Sequence, residues 1–129
     1  MKFGYSIIYV ENVVATIEFY EKAFGMTRKF IHESHTYAEL DTGETTLAFA
    51  AHEAAELNDL SISPNRKDGI AAGFETCFVT DNVQAAFEHA VENGASPVSK
   101  PVPKPWGQIV AYLRDLNGCL VEICTPIQG

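Results

Sequence analysis

At 129 residues the chain has the length of one domain, and half of it, about 65 residues, would be marginal alone because it buries little surface. The formal charge is −8, and 9 Lys and Arg scattered along the chain supply no cationic surface for nucleic acid or for an anionic membrane. Apolar residues make up 47% of the chain without any run of about 18, and its start, MKFGYSIIYV, enters a strand pattern without the layout of a signal peptide, so a cytoplasmic location is expected.

Tyr5 to Val10 is rich in aromatic and β-branched residues and predicts a strand. Asn12 is placed to cap a helix, in which Val13, Val14, Ile17, Tyr20, Ala23 and Phe24 recur at helical spacing and Gly25 supplies the stop. Met26 to Glu33 and Thr36 to Asp41 predict a hairpin turning near Ser34 and His35. A second turn follows at Asp41–Glu44, then a strand over Thr45 to Ala50. Residues 51–70 begin helix-like (AHEAAEL) and become polar, which predicts a linker or surface loop.

The second half has the same order. Phe74 to Val79 predicts a strand. Asp81 or Asn82 then caps a helix with Val83, Ala86, Phe87, Ala90 and Val91 on its apolar side, ending at Gly94. Ala95 to Ser99 predicts a short strand. Pro97, Pro101, Pro103 and Pro105 follow and restrict that stretch to a sheet edge or a loop. Gln108 to Arg114 and Cys119 to Cys124 predict the last two strands, joined by a turn at Asp115–Gly118.

Residues 4–26 and 73–95 align without a gap, with Gly4/Gly73, Val10/Val79, Val14/Val83 and Gly25/Gly94 identical. The repeat predicts two β-α-β-β-β modules, over about 3–51 and 72–127, joined by a linker at about 52–71 within one domain spanning 1–129. Cys77, Cys119 and Cys124 form an odd set without metal-ligand spacing, and buried thiols in a reducing compartment are the expectation.

Two such modules, with Phe19-Tyr20, Phe24-Gly25-Met26, Trp106-Gly107, Ala111-Tyr112, Asp115-x-x-Gly118 and Glu122, resemble the vicinal oxygen chelate superfamily. That group includes glyoxalase I, extradiol dioxygenases and bleomycin-resistance proteins. The resemblance implies an α+β fold whose modules form an open, curved mixed sheet around a cleft, and it implies a homodimer. In metal-dependent members, His or Glu side chains from the first and last strands of each module bind a divalent ion. The resemblance matches those positions to Tyr5, Ala48 (or Leu47 by register), Phe74 and Glu122, of which only Glu122 is an ordinary ligand. No resident metal or other cofactor is therefore expected.

Strand alternation places Leu120, Glu122 and Cys124 on one face. Glu122 is the candidate catalytic or ligand-contacting carboxylate. Tyr5, Ile7, Phe74, Thr76, Trp106 and Tyr112 are expected to line the ligand cleft with it, supplying aromatic contact area. His32 and His35 bracket a turn, His52 follows a strand and His89 lies on the second helix; exposed, non-ligating roles are expected for the turn pair and for His89. The resulting expectation is a metal-independent small-molecule binding protein. The alternatives are a metal-dependent glyoxalase-like lyase, isomerase or extradiol-type dioxygenase, and a cofactorless acid–base enzyme using Glu122 with Tyr5.

Overall fold

Each half of the chain passes from strand to helix at an asparagine. The Asn12 side chain accepts a hydrogen bond from the Ala15 amide at 2.9 Å, and Asn82 accepts one from the Ala85 amide at 3.1 Å. Each satisfies an amide that the first helical turn would otherwise leave open. The computed structural model describes residues 1–127; Gln128 and Gly129, the end of the expected domain, lie outside the described residues.

The first unit ends at Pro64. It contains β1 (Tyr5–Val10), α1 (Val13–Phe24), β2 (Thr27–Ile31), β3 (Tyr37–Asp41), β4 (Thr46–Ala51) and α2 (His52–Leu57). Its sheet runs β1-β4-β3-β2, with β1 parallel to β4 and the other pairs antiparallel. One face of that sheet is closed by α1. Ile17 and Tyr20 are fully buried, as are Leu40 and Phe49 of the sheet, and the Tyr20 and Phe49 rings stand 4.9 Å apart. Burying a side chain the size of Ile17 stabilises by about 1.5–3 kcal/mol. Gly25 ends α1 in the left-handed conformation at φ 65°, which a residue without a Cβ adopts freely. The expected linker is shorter than its sequence suggests, because the AHEAAEL segment forms α2 and packs on β4 and β1.

The second unit begins at Asn65. It contains β5 (Glu75–Val79), α3 (Val83–Glu92), β6 (Ser96–Pro103), β7 (Ile109–Arg114) and β8 (Leu120–Cys124). The sheet order β5-β8-β7-β6, with β5 parallel to β8, repeats the plan of the first. Val83 and Ala90 of α3 are buried, as are Leu113, Val121 and Ile123 of the sheet. The proline-rich stretch joins β6, an edge strand, and its register against β7 slips between Pro97 and Ser99 and again between Ser99 and Val102. An edge position is where residues lacking an amide hydrogen fit.

The β7–β8 turn is built on Asp115, which is fully buried. Its Oδ1 accepts hydrogen bonds from the Asn117 and Cys119 amides, both at 2.9 Å. Gly118 sits at φ 85°, and any Cβ there would collide with the Arg66 carbonyl oxygen and the Arg114 guanidinium. Arg114 fills that corner by donating to the Gly118 and Arg66 carbonyls at 2.8 and 3.0 Å.

Candidate functional site

Two strand pairs with the same geometry identify equivalent positions. In the first unit Ile7 lies opposite Ala48, and in the second Cys77 lies opposite Glu122. Ala48 is therefore the counterpart of Glu122, and Tyr5 is the counterpart of Glu75, not of Phe74. The two caps agree, since Asn12 and Asn82 each follow by the same interval. The ungapped alignment is thus one residue out of step through the first strand. In a β-strand such a slip exchanges the two faces.

The consequence falls on the expected site residues of β5. Facing residues in a parallel pair share a side of the sheet, so Glu75 and Cys77 accompany Glu122. Thr76 lies opposite Val121 on the other face, with its hydroxyl oxygen buried and lacking a hydrogen-bond partner among the described residues. Phe74 precedes β5 and is exposed. Neither Phe74 nor Thr76 joins Glu122, contrary to the face expected from sequence.

Around Glu122 the second sheet gathers a polar cluster. Tyr112 lies opposite it on β7 and donates its hydroxyl to Glu122 Oε1 at 3.0 Å. Glu75 shares its face, and the Cys77 and Cys124 sulfurs lie within 4.8 Å of a Glu122 carboxylate oxygen. Cys77 Sγ and Cys124 Sγ are 3.4 Å apart. Cys77 is exposed, whereas Cys119 and Cys124 are buried; all three are free thiols, so the expectation of burial fails at Cys77. Its place on the open face of an edge strand accounts for that.

The cluster polarises its members. Partial burial alone would raise the Glu122 carboxyl, but hydrogen bonds from Glu75, Tyr112, Cys77 and Cys124 outweigh it and hold Glu122 below the ordinary carboxylate range. Glu75 is pushed the other way, by burial first and then by its hydrogen bond to Glu122 and the charge there. Of the two carboxyls, Glu75 is thus the readier to take up a proton and Glu122 the readier to keep its charge. Burial and the Glu122 charge also push the Tyr112 phenol up to about 12 and the Cys77 thiol well above the ordinary thiol range.

The corresponding face of the first sheet carries Tyr5 and Ile7, both exposed, beside Ala48, which is fully buried. Its polar centre is Glu39 on β3, which accepts from the Tyr37 hydroxyl at 2.7 Å and lies 3.7 Å from Lys29 Nζ. Glu39 stands opposite Ala48 as Tyr112 stands opposite Glu122. Trp106 occupies the β6–β7 turn, exposed, with its indole N–H donated to Gln108 Oε1 at 2.6 Å. Sequence reasoning missed Glu75, Cys77 and Glu39; the shared interval to the two asparagine caps is the signal that finds the first two.

By the corrected register the superfamily's ligand positions hold Tyr5, Ala48, Glu75 and Glu122. Ala48 has no donor atom, so the four-ligand set is incomplete in this chain and does not fit that metal site. The histidines supply no replacement. His32 and His35 are exposed, with His32 Nδ1 bonded to Ser34 Oγ at 2.7 Å, and His89 is exposed on α3. His52 lines a shallow depression of about 300 Å³ with Ala55, Glu56, Leu60, Ser61, Ile62 and Pro64; its Nε2 is buried without a hydrogen-bond partner among the described residues.

Comparison with known proteins accords with this geometry. The sequence model of a family described as the Glyoxalase/Bleomycin resistance protein/Dioxygenase superfamily matches residues 2–123. Uncharacterized protein YraH of Bacillus subtilis (strain 168) is 28% identical over 119 residues, which are 88% of this chain and 90% of that protein. A glyoxalase/bleomycin resistance protein/dioxygenase family enzyme from Burkholderia phytofirmans PsJN is 27% identical, with a TM-score of 0.82, covering 99% of this chain and 100% of that one. A glyoxalase-related enzyme from Fulvimarina pelagi has a TM-score of 0.83 at 16% identity, covering 98% of this chain and 88% of that one, and shares the fold. No helix among the described residues is long and apolar enough to cross a membrane.

Proposed function

The chain belongs to the glyoxalase/bleomycin resistance protein/dioxygenase superfamily, and from that premise we propose that it binds a small organic molecule through Glu122, without the superfamily's four-ligand metal site. The observation that carries this reading is the cluster on the open face of the second sheet. Glu122 is held below the ordinary carboxylate range, and Tyr112 orients it by donating its hydroxyl. Such a carboxylate takes a cationic nitrogen or another strong hydrogen-bond donor as its partner. The acidity of the whole chain, at −8, draws the same class of ligand. Trp106, exposed on the β6–β7 turn of the same unit, is an aromatic surface suited to the planar part of such a molecule. The reading includes one domain of two β-α-β-β-β modules, a homodimer, and a cytoplasmic setting in keeping with three free thiols.

A second reading has its own support: Glu75 and Glu122 share one face of the sheet and are shifted in opposite directions, Glu75 up and Glu122 down, the separation of acid from base that a cofactorless proton-transfer enzyme needs.

A thermal-shift screen of aromatic amines, amidines and guanidines, followed by calorimetry on the hits, tests binding. Glu122→Gln should weaken every hit by roughly 10-fold or more, and Trp106→Ala should weaken the aromatic ones. Hits that bind Glu122→Gln as tightly as the wild type would exclude Glu122 as the anchor. Turnover of a hit, lost in both Glu122→Gln and Glu75→Gln, would favour the enzyme reading.

A further inference from the structure

Cys77 and Cys124 bring two sulfur atoms to 3.4 Å of each other on the face that carries Glu122. The donor atoms of the three residues all lie within 4.8 Å of one another. The strand register imposes this triangle. Cys77 lies opposite Glu122, while Cys124, two places further along β8, lies opposite Val79. β8 is held between β5 and β7, so the backbone under Glu122 and Cys124 is hydrogen-bonded on both sides, while Cys77 stands on the edge strand beside it.

These separations match a metal-ligand set. In a tetrahedral zinc site, sulfur stands about 2.3 Å and carboxylate oxygen about 2.0–2.2 Å from the ion, which places neighbouring donors roughly 3.5–4 Å apart. The present separations, 3.4 Å between the sulfurs and at most 4.8 Å across the set, lie close to that spacing. Two sulfur donors also determine the class of ion, since thiolates select zinc-like and softer ions over magnesium or calcium.

We propose that Cys77, Cys124 and Glu122 form a binding site for a divalent ion of the zinc class, with the fourth position open to water. The ion gains two metal–sulfur bonds and one metal–oxygen bond. Two S–H bonds break, their protons pass to solvent, and no electron is transferred. The dication with two thiolates and one carboxylate leaves a local charge of −1, down from the three negative charges the bare ligands would hold. The superfamily's ligand set is a different one, because two of the three donors here are thiols at positions outside it. This inference does not rest on the organic-ligand reading, but the two share Glu122, so ion and organic ligand exclude each other.

The test uses the full chain, stripped with a chelator, reduced with a thiol-free reductant and titrated with cobalt(II). The expected result is saturable binding with thiolate-to-cobalt charge-transfer absorption in the near ultraviolet and the visible bands of a four-coordinate ion, all displaced by zinc(II). Cys77→Ser and Cys124→Ser should each reduce the charge-transfer intensity and weaken binding by roughly 10-fold or more. Glu122→Gln should weaken binding while keeping the sulfur absorption. Cys119→Ser should leave both unchanged, since Cys119 lies outside the triangle. Should the buried Cys124 variant fail to fold, Cys77→Ser on the exposed edge decides the matter. No charge-transfer absorption in a wild-type protein whose thiols are shown to be free, or its full retention in Cys77→Ser, would overturn the site. A ligand found by thermal shift in the presence of chelator would still bind in that case, so the two readings fail separately.

Discussion

Tyr112 donates its hydroxyl to Glu122 Oε1 at 3.0 Å, directly across the β7–β8 register. Removing the hydroxyl with Tyr112→Phe takes one donor from a charged acceptor on a partly open face. The cost should be about 1 kcal/mol of stability, measured by urea unfolding, because water replaces part of the bond. Glu122→Gln should show a smaller change than the sum of the two single substitutions when combined with Tyr112→Phe, since both remove the same contact.

The opposite shifts of the two glutamates predict a pH optimum for the metal-free fold. Glu122 titrates below its unfolded value, so its contribution is present above that value and lost as pH falls through the folded one. Glu75 titrates above its unfolded value, so its contribution is present below that value and lost as pH rises through the folded one. Melting temperature in chelator should therefore peak at mildly acidic pH, between the two, and decline toward neutrality. Glu75→Gln should flatten the decline on the alkaline side. An unchanged profile in that variant would mean that Glu75 is not the group shifted upward.

Exposure alone would make Cys77 the reactive thiol, but its elevated pKa acts against that. Burial of its sulfur, and hydrogen bonds within the Cys124–Glu122 cluster, keep the thiolate scarce. Cys119 is pushed up to about 12 by burial and by the Asp115 charge. Iodoacetamide at neutral pH should thus modify the native protein slowly, at Cys77 first and at Cys119 only on unfolding, as read by peptide mass mapping. Glu122→Gln should speed the reaction at Cys77 by removing the adjacent negative charge.

Much of this architecture is visible in the sequence, because its signals are local. Asn12, Gly25 and Asn82 act within one turn of the residues they cap, and the apolar spacing of Ile17 and Tyr20 needs no knowledge of the sheet. The face of β5 was not visible in that way. The glycines suggest one pairing of the halves (Gly4/Gly73, Gly25/Gly94), while Asn12/Asn82, Val13/Val83, Ala15/Ala85 and Glu18/Glu88 suggest another one residue away. Both fit a helix and a strand. The glycines that bracket each module and the caps and first helical turns between them thus stand one residue apart in register. Only the β5–β8 pairing decides, and it turns Glu75 and Cys77 to the face of Glu122 in place of Phe74 and Thr76.

The β7–β8 turn offers a test of a close approach. Gly118→Ala would force a Cβ into the Arg66 carbonyl at a backbone angle that only glycine takes without strain. A loss of about 2 kcal/mol or more is expected. The Asn12→Ala and Asn82→Ala variants should each cost about 1 kcal/mol, and nearly additively, because the caps serve different helices and share no partner.

The prolines of β6 bear on how the protein behaves at high concentration. An outer strand with a free row of amide hydrogens is a template on which other chains can stack into fibrils. Pro97, Pro101 and Pro103 remove donors from that row, and the two register slips bend what remains. The flank of the second sheet beyond β6 is thereby a poor seed for aggregation, and the residues that make the strand irregular help to keep the chain in solution.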